Sequence, residues 1–464
     1  MSEQPAETQD PQAQPDDIYA VNPDFVRDVR TLLDRGATDG VRRLVLPLHA
    51  ADIADLIDLL PRDERTTLLD CLGDDLDPEV LTEVEESVLM DLLPELAPSA
   101  LARAVTELDT DDGVFLVDHL DEDRREEILR AVPAPDRTAV QEALEFPEDS
   151  AGRLMQRDFI AVPAYWTVGQ VIDYCRDTED LPDEFYGIFV IDPRYRPIGH
   201  VPLNRVLRTR RPVVVRQIME EETQLIPLEM DQEEVAFLFQ QYDLASAPVV
   251  DEYGRLAGAI TFDDVADVIE EEAEEDLLRL GGVAGESDLY DTVMRTTRTR
   301  FTWLLVNLGT AIVASLVIAL FDATIDRIVA LAILMPIVAS MGGNAGTQTL
   351  TVAVRALATH ELTPTNAMRI VVKEVLVGGL NGIFFAVLMG VIAGLWFGDP
   401  MLGGVIAAAM VINLLVAGLF GTLIPLGCQR MGVDPAIAAS VFLTTITDVI
   451  GFFAFLGLAA LILI

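Results

Sequence analysis

Five apolar stretches fill residues 301–464, at roughly 301–321, 328–354, 375–398, 400–427 and 436–462, and each is long enough to cross a bilayer as a helix. Inside hydrocarbon every backbone polar group must be satisfied within the fold, so stretches of this length and apolarity call for membrane helices. This half of the chain holds only five Lys or Arg and seven Asp or Glu. Residues 1–300 hold 27 basic residues against 69 acidic ones, which is nearly all of the net charge of −44. An acidic soluble half is therefore joined to a membrane half.

The loops between the apolar stretches alternate in charge. RTTRTR precedes the first, Arg355, Arg369 and Lys373 lie between the second and third, and Arg430 lies between the fourth and fifth, while Asp322, Asp326, Arg327 and Asp399 occupy the others. The excess of positive charge on the inner side then places the N-terminus inside and the C-terminus outside. The polar, acidic N-terminus has no apolar signal segment, which agrees with a soluble half kept in the cytoplasm. Binding of nucleic acid is excluded by the sign of the charge. Lys373 is the only lysine, and so acidic a surface fits either a salt-rich cytoplasm or a device that collects cations. Cys71, Cys175 and Cys428 are far apart and suggest neither a disulfide framework nor a zinc site.

The soluble half has three parts. Residues 1–19 are expected to be a disordered tail. Residues 20–150 form short amphipathic segments such as LHAADIADLIDLL and PEVLTEVEESVLMDLLPEL, expected to stack as helical hairpins. His49 and His119 stand alone there and read as surface or packing residues. Residues 151–262 contain an internal repeat. Met155 matches Met219 and Val171 matches Val235 at an offset of 64, and Asp192 matches Asp251 and Gly199 matches Gly258 at an offset of 59. Extra residues near EDLPDEFY account for the change. Each copy reads strand, helix, strand, turn, strand, helix. The lines FVIDPRYRPIGHVPLNRVL and PVVDEYGRLAGAITFDDV resemble a tandem CBS pair. That resemblance implies a module that binds adenine nucleotides or cations, with Tyr186 and Arg196 either contacting a nucleotide or lying idle on the surface. Residues 263–300 then hold an acidic helix, DDVADVIEEEAEEDLLRL, and a Gly-rich linker leading to the first span. Its like charges at helical spacing repel, and divalent cations would relieve that.

Asp448 is the only ionisable residue after Asp434, inside the last apolar span. A carboxylate at such depth costs at least about 2.5–3.5 kcal/mol and marks function unless it is a structural acid bonded to a neighbouring threonine. Ser440, Thr444 and Gly451 share its helical face. In the second span, MPIVASMGGNAGTQTLTVAV combines Pro336, paired glycines and hydroxyls, which suits close packing or local unwinding around a cavity. Two-fold assembly would bring two Asp448 carboxylates to one axis, a sparse oxygen lining that suits a hydrated Mg²⁺ ion.

Taken together, LHAADIADLI, FPEDSAGRLM, MGGNAGTQTLTVAVRALA and the final DPAIAAS…TTITDVIGFF resemble the MgtE magnesium channel family over nearly the whole chain. The architecture so implied is multi-domain, α and α/β plus an all-α membrane domain: helical N-domain, tandem CBS pair, long acidic connecting helix and a transmembrane pore domain of five helices at 301–464. The resemblance implies a homodimer in the cell membrane that admits Mg²⁺ and is closed by intracellular Mg²⁺. It makes Asp448 the selecting carboxylate, with Thr444 and Ser440 beside it and Gly343, Thr347 and Thr351 along the same path. It assigns the regulatory ions to Glu233, Asp243, Asp264, Glu272, Glu275 and Asp276. Where relatives carry further N-domain acids, APSALARAV has none, which turns attention to Asp109, Asp111 and Asp112. Ser440 and Thr347 stand where some relatives carry an amide.

Two other functions are weighed against this one. A proton- or Na⁺-coupled carrier would need a second intramembrane ionisable group, and none is expected. A mere membrane anchor for a sensing module would leave Asp448 unexplained. No catalytic spacing marks an enzyme.

Overall fold

The computed structural model describes residues 21–178, 181–182, 185–283 and 293–464. The expected tail at 1–19 and most of the linker lie outside these residues. The chain divides into two bodies, residues 1–270 and 271–464.

The first body opens with ten short helices between Pro23 and Ala143. Leu, Ile and Val on their inner faces meet in one core that includes Val29, Leu56, Leu68, Leu89, Leu101, Val117 and Ile128. Most of these helices are too short to be stable alone, so this shared burial holds them. Polar side chains also stitch them. The guanidinium of Arg65 is buried and donates to the carbonyls of Ile57 and Asp58 at 2.9 and 3.0 Å. His49 caps the helix Ala50–Leu59 by accepting from the Ala51 amide, and His119 bridges Glu86 and the Phe115 carbonyl, so both histidines are local packing devices.

The repeat folds as its sequence pattern predicts. Strands β1 (Ala161–Pro163), β2 (Gly187–Ile191) and β3 (Pro197–Pro202) form one sheet, and β4 (Ile226–Pro227), β5 (Ser246–Val250) and β6 (Leu256–Thr261) form another. In both, the first pair is parallel and the second antiparallel, and the register slips at Val190/Ile191 and again at Val249/Val250. Those two slips are 59 positions apart, as are the turns that follow them. Asp192 Oδ1 accepts from the amides of Arg194 and Arg196 at 2.8 and 3.0 Å, and Asp251 Oδ1 accepts from Tyr253 and Arg255 at 2.9 and 2.8 Å. One Asx-turn device therefore closes both copies. The copies join through Gln156 and Ala259, whose amides and carbonyls pair at 2.8 and 2.9 Å. The acidic helix, Phe262–Leu280, follows β6 directly.

Among the described residues, the second body holds five helices long and apolar enough to cross a membrane, with bounds Thr296–Ala319, Ala330–Ala358, Ala367–Phe397, Pro400–Arg430 and Ser440–Ile462. The first and fifth belong to the longer helices Val293–Ala319 and Pro435–Ile462. They pack through small residues, since lipid offers no hydrophobic penalty to drive association and close backbone approach must supply it. A methyl group at Gly382 in the third helix would stand 3.1 Å from the Val411 Cα of the fourth, and one at Gly418 would stand 2.6 Å from the Glu374 carbonyl. Sequence and structure differ in three respects here. RTTRTR is part of the first membrane helix rather than a linker before it. The second helix runs unbroken through Pro336 and the glycine pair, so local unwinding does not occur. The third helix begins at Ala367, eight residues earlier than hydropathy suggests, because Arg369, Lys373 and Glu374 are helical.

Candidate cation-binding sites

Asp448 lies midway along the fifth membrane helix and is half-buried. Among the described residues its carboxylate has no hydrogen-bond or ion-pair partner, so it is not a structural acid satisfied by a neighbouring threonine. The nearby hydroxyls are spent on their own helix. Thr444 Oγ1 donates to the Ser440 carbonyl at 3.0 Å, and Thr447 Oγ1 to those of Leu443 and Thr444 at 3.0 Å each. Ser440 is half-buried and Thr444 exposed.

The second membrane helix packs against the fifth, with Gly346 seated on Leu443. Gly343, Thr347 and Thr351 recur every four residues on one face. Thr347 Oγ1 donates to the Gly343 carbonyl at 2.9 Å and Thr351 Oγ1 to that of Thr347 at 3.0 Å. Both threonines are exposed, and the space beside Gly343 is open. Ser340, Asn344 and Gln348 are exposed on this helix as well, and the amides of Asn344 and Gln348 are polar groups that residue-by-residue reading passed over. The two helices thus carry hydroxyl, amide and carboxylate groups uncovered within a hydrophobic body.

Three further polar residues were not expected. Glu374 lies within the third membrane helix, its side chain only 13% exposed. Thr349 Oγ1 donates to its Oε2 at 3.4 Å, and Lys373 Nζ stands 3.4 Å from Oε1. A second acid therefore does lie within a membrane helix. Asn413 and Thr422, both fully buried, sit in the fourth helix.

The regulatory candidates fall into two groups on the two bodies. In the first body, Asp264 accepts from Thr261 Oγ1 at 2.6 Å and from Gln156 Nε2 at 3.1 and 3.2 Å. Burial pushes its carboxyl up to about 6, with Asp263 and Asp109 adding repulsion. Burial, then the charge of Asp264, pushes Asp112 up to about 7. The same two causes act on Asp111, whose buried Oδ1 accepts no hydrogen bond. N-domain and repeat acids thus meet. Glu233 and Asp243 are exposed at the two ends of the helix Gln232–Tyr242, where Asp243 caps it in the left-handed conformation at φ 51°.

In the second body, Glu275 pairs with Arg279, which also donates to Asp434 Oδ2 at 2.5 Å. Burial, then Asp434 and Glu272, raises the Asp276 carboxyl. Asp434 caps the fifth membrane helix by accepting from the Ala436 amide at 2.7 Å. The end of the acidic helix is therefore tied by charge to the start of the helix that bears Asp448. Among the described residues no three or more His, Cys, Asp or Glu side chains converge as a ready-made metal site.

A carboxyl raised on burial binds more protons folded than unfolded, so its contribution is fully present below about pH 4 and is lost as pH rises through its folded value. For Asp264 and Asp112 that loss falls between about pH 4 and 7. We expect hydrogen-exchange protection of the helix Thr110–Asp118 to fall over this window in Mg²⁺-free buffer and to recover on adding Mg²⁺. Asp112→Asn should flatten the dependence. Protection that does not vary with pH in the wild-type chain would remove these acids from consideration.

Residues 335–458 match the family model for a divalent cation transporter, residues 48–149 that for the MgtE intracellular N domain and residues 215–271 that for a CBS domain. The magnesium transporter MgtE of Thermus thermophilus is 33% identical over 93% of this chain and 97% of its own length. The chain belongs to the MgtE family. The magnesium transporter MgtE of Bacillus subtilis is 28% identical over 92% of this chain and 95% of its own. A crystal structure of the cytosolic domain of the Mg²⁺ channel MgtE in complex with ATP is 30% identical, covering 52% of this chain and 99% of that one, with a TM-score of 0.49. As a family member with five apolar helices, the chain is a multi-pass membrane protein.

Proposed function

We propose that this chain is a Mg²⁺ channel of the cytoplasmic membrane, assembled as a homodimer with its N-terminus in the cytoplasm and its C-terminus outside. The observation that carries the reading is the unpartnered Asp448 carboxylate beside the uncovered polar faces of the second and fifth helices. Two such faces brought together by a two-fold axis would line a path, with two carboxylates attracting a hydrated dication. Gly343, Thr347, Thr351, Ser440 and Thr444 would offer oxygens that are already partly satisfied, and so would hold the ion's water shell weakly. That suits a site the ion must leave as well as enter.

Closure by intracellular Mg²⁺ follows from the acids. Carboxylates raised by burial and mutual repulsion, as around Asp264 and Asp276, are held together at a cost that a bound cation relieves. Glu233, Asp243, Glu272 and Glu275 complete the proposed regulatory set. Mg²⁺ binding more tightly to the gathered state would shift the population toward it. A nucleotide at the CBS pair draws no support from Arg196, whose guanidinium is engaged by Asp192 at 2.7 and 3.0 Å, and no step is assigned to it.

Glu374 favours a second reading, a carrier coupled to protons or Na⁺, since a buried second acid is what such coupling needs. Uptake of Mg²⁺ into vesicles holding the full-length protein decides between them. A channel should conduct with no proton or Na⁺ gradient, follow the membrane potential, and shut as interior Mg²⁺ rises. Uptake that requires a proton or Na⁺ gradient would give the carrier reading preference.

A further inference from the structure

Asn413 is a fully buried carboxamide in the fourth membrane helix. Its Nδ2 donates to the Val338 carbonyl of the second helix at 2.8 Å, while its Oδ1 is buried and accepts no hydrogen bond. It is packed against two glycines on the other helices. A methyl group at Gly342 would overlap Nδ2, and one at Gly451 in the fifth helix would stand 2.8 Å from Nδ2 and 3.2 Å from Oδ1. An amide with an unsatisfied acceptor is costly in so apolar a setting, and a leucine of similar size would fill the space without that cost. Its position gives the cost a purpose. Gly342 precedes Gly343, and Gly451 lies three residues, or about one turn, beyond Asp448.

We propose that Asn413 is a positioning residue for cation passage. Its directional bond to Val338 and its contact with Gly451 fix the fifth helix in rotation against the second, and so fix where Asp448 stands relative to Gly343. Apolar packing alone leaves such rotation weakly determined, because helix ridges accept neighbouring settings at similar energy. The inference rests on the proposed path past Asp448.

The test is Mg²⁺ uptake by the full-length protein in vesicles, with half-saturating concentration and maximal rate read separately per folded molecule. Asn413→Leu is expected to raise the half-saturating concentration about tenfold with a smaller change in maximal rate, as for second-layer groups that orient a ligand. Gly451→Ala should act in the same direction by pushing the amide aside. In Asn413→Ala/Gly451→Ala the methyl has room, so the double variant should be no worse than Asn413→Ala. Should Asn413→Leu fail to fold, the two Gly451 variants decide alone. Variants that lose thermal stability yet keep the wild-type half-saturating concentration would overturn the inference. Asp448→Asn, run in parallel, separates the two ideas. If it transports normally the path itself is wrong, whereas if it is inactive and the Asn413 and Gly451 variants are normal, only the positioning role is.

Discussion

Asp448→Asn and Asp448→Ala should each lower saturable Mg²⁺ uptake by at least about a hundredfold while leaving the protein folded, and Asn should raise thermal stability slightly. The two effects have opposite signs for one reason. The carboxylate is half-buried in a membrane helix and unpartnered among the described residues, so it carries an insertion cost of about 2.5–3.5 kcal/mol, of which Asn, itself polar, recovers only a part. Removing the charge relieves that part. Removing it also takes away the attraction for a dication, and a hundredfold loss corresponds to only about 2.8 kcal/mol. Asn keeps the size and the hydrogen-bonding capacity, so it isolates charge from shape. Uptake and melting temperature measured on the same preparation check both signs. Near-normal uptake by Asp448→Asn would mean that the ion does not pass this carboxylate.

What could be read from the sequence depended on whether a signal was local. The repeat was legible because two copies of one Asx turn, at Asp192 and Asp251, sit at a constant offset and close two sheets of the same topology. Asp448 was legible because nothing else in its span carries charge. Glu374 was not, since a hydropathy window starting at residue 375 cuts it off beside Lys373, and only helix packing reveals that its side chain is largely enclosed beside Thr349 while its backbone carbonyl lies against Gly418 of the fourth helix. Asn413 was visible as a lone amide in an apolar run, but its meaning lies in glycines about 70 residues before it and 38 after. Pro336 misled in the other direction. Its missing amide breaks one helical bond, and packing of Leu331, Leu334 and Val338 in the membrane core keeps the helix whole. The role of Asp434 as the acceptor of Arg279 was not readable, because the two lie 155 residues apart.

The ion pair between Arg279 and Asp434 joins the acidic helix to the fifth membrane helix, and it gives the second large expectation. Glu272→Gln, Glu275→Gln and Asp276→Asn combined should make uptake nearly indifferent to interior Mg²⁺, whereas the wild-type flux should fall at least about tenfold across the closing range. The direction of the resting shift is not what is at stake. Neutralising the three acids removes their repulsion and removes the ligands together, and an ion with equal affinity for two states shifts neither. The flux ratio between low and high interior Mg²⁺ should therefore approach one whether the gate rests open or shut. Arg279 and Asp434 stay in place in this variant, so the helix keeps its charged tie to the fifth membrane helix. Salt gives an independent handle on the wild-type chain. At molar ionic strength the screening length shrinks to about 3 Å, so the carboxylates hold Mg²⁺ less strongly and closure should need more of it. A triple variant that still closes at the wild-type Mg²⁺ concentration, with a midpoint indifferent to salt, would place the sensor elsewhere. The cluster of Asp109, Asp111, Asp112 and Asp264 in the other body would then be the group to neutralise next.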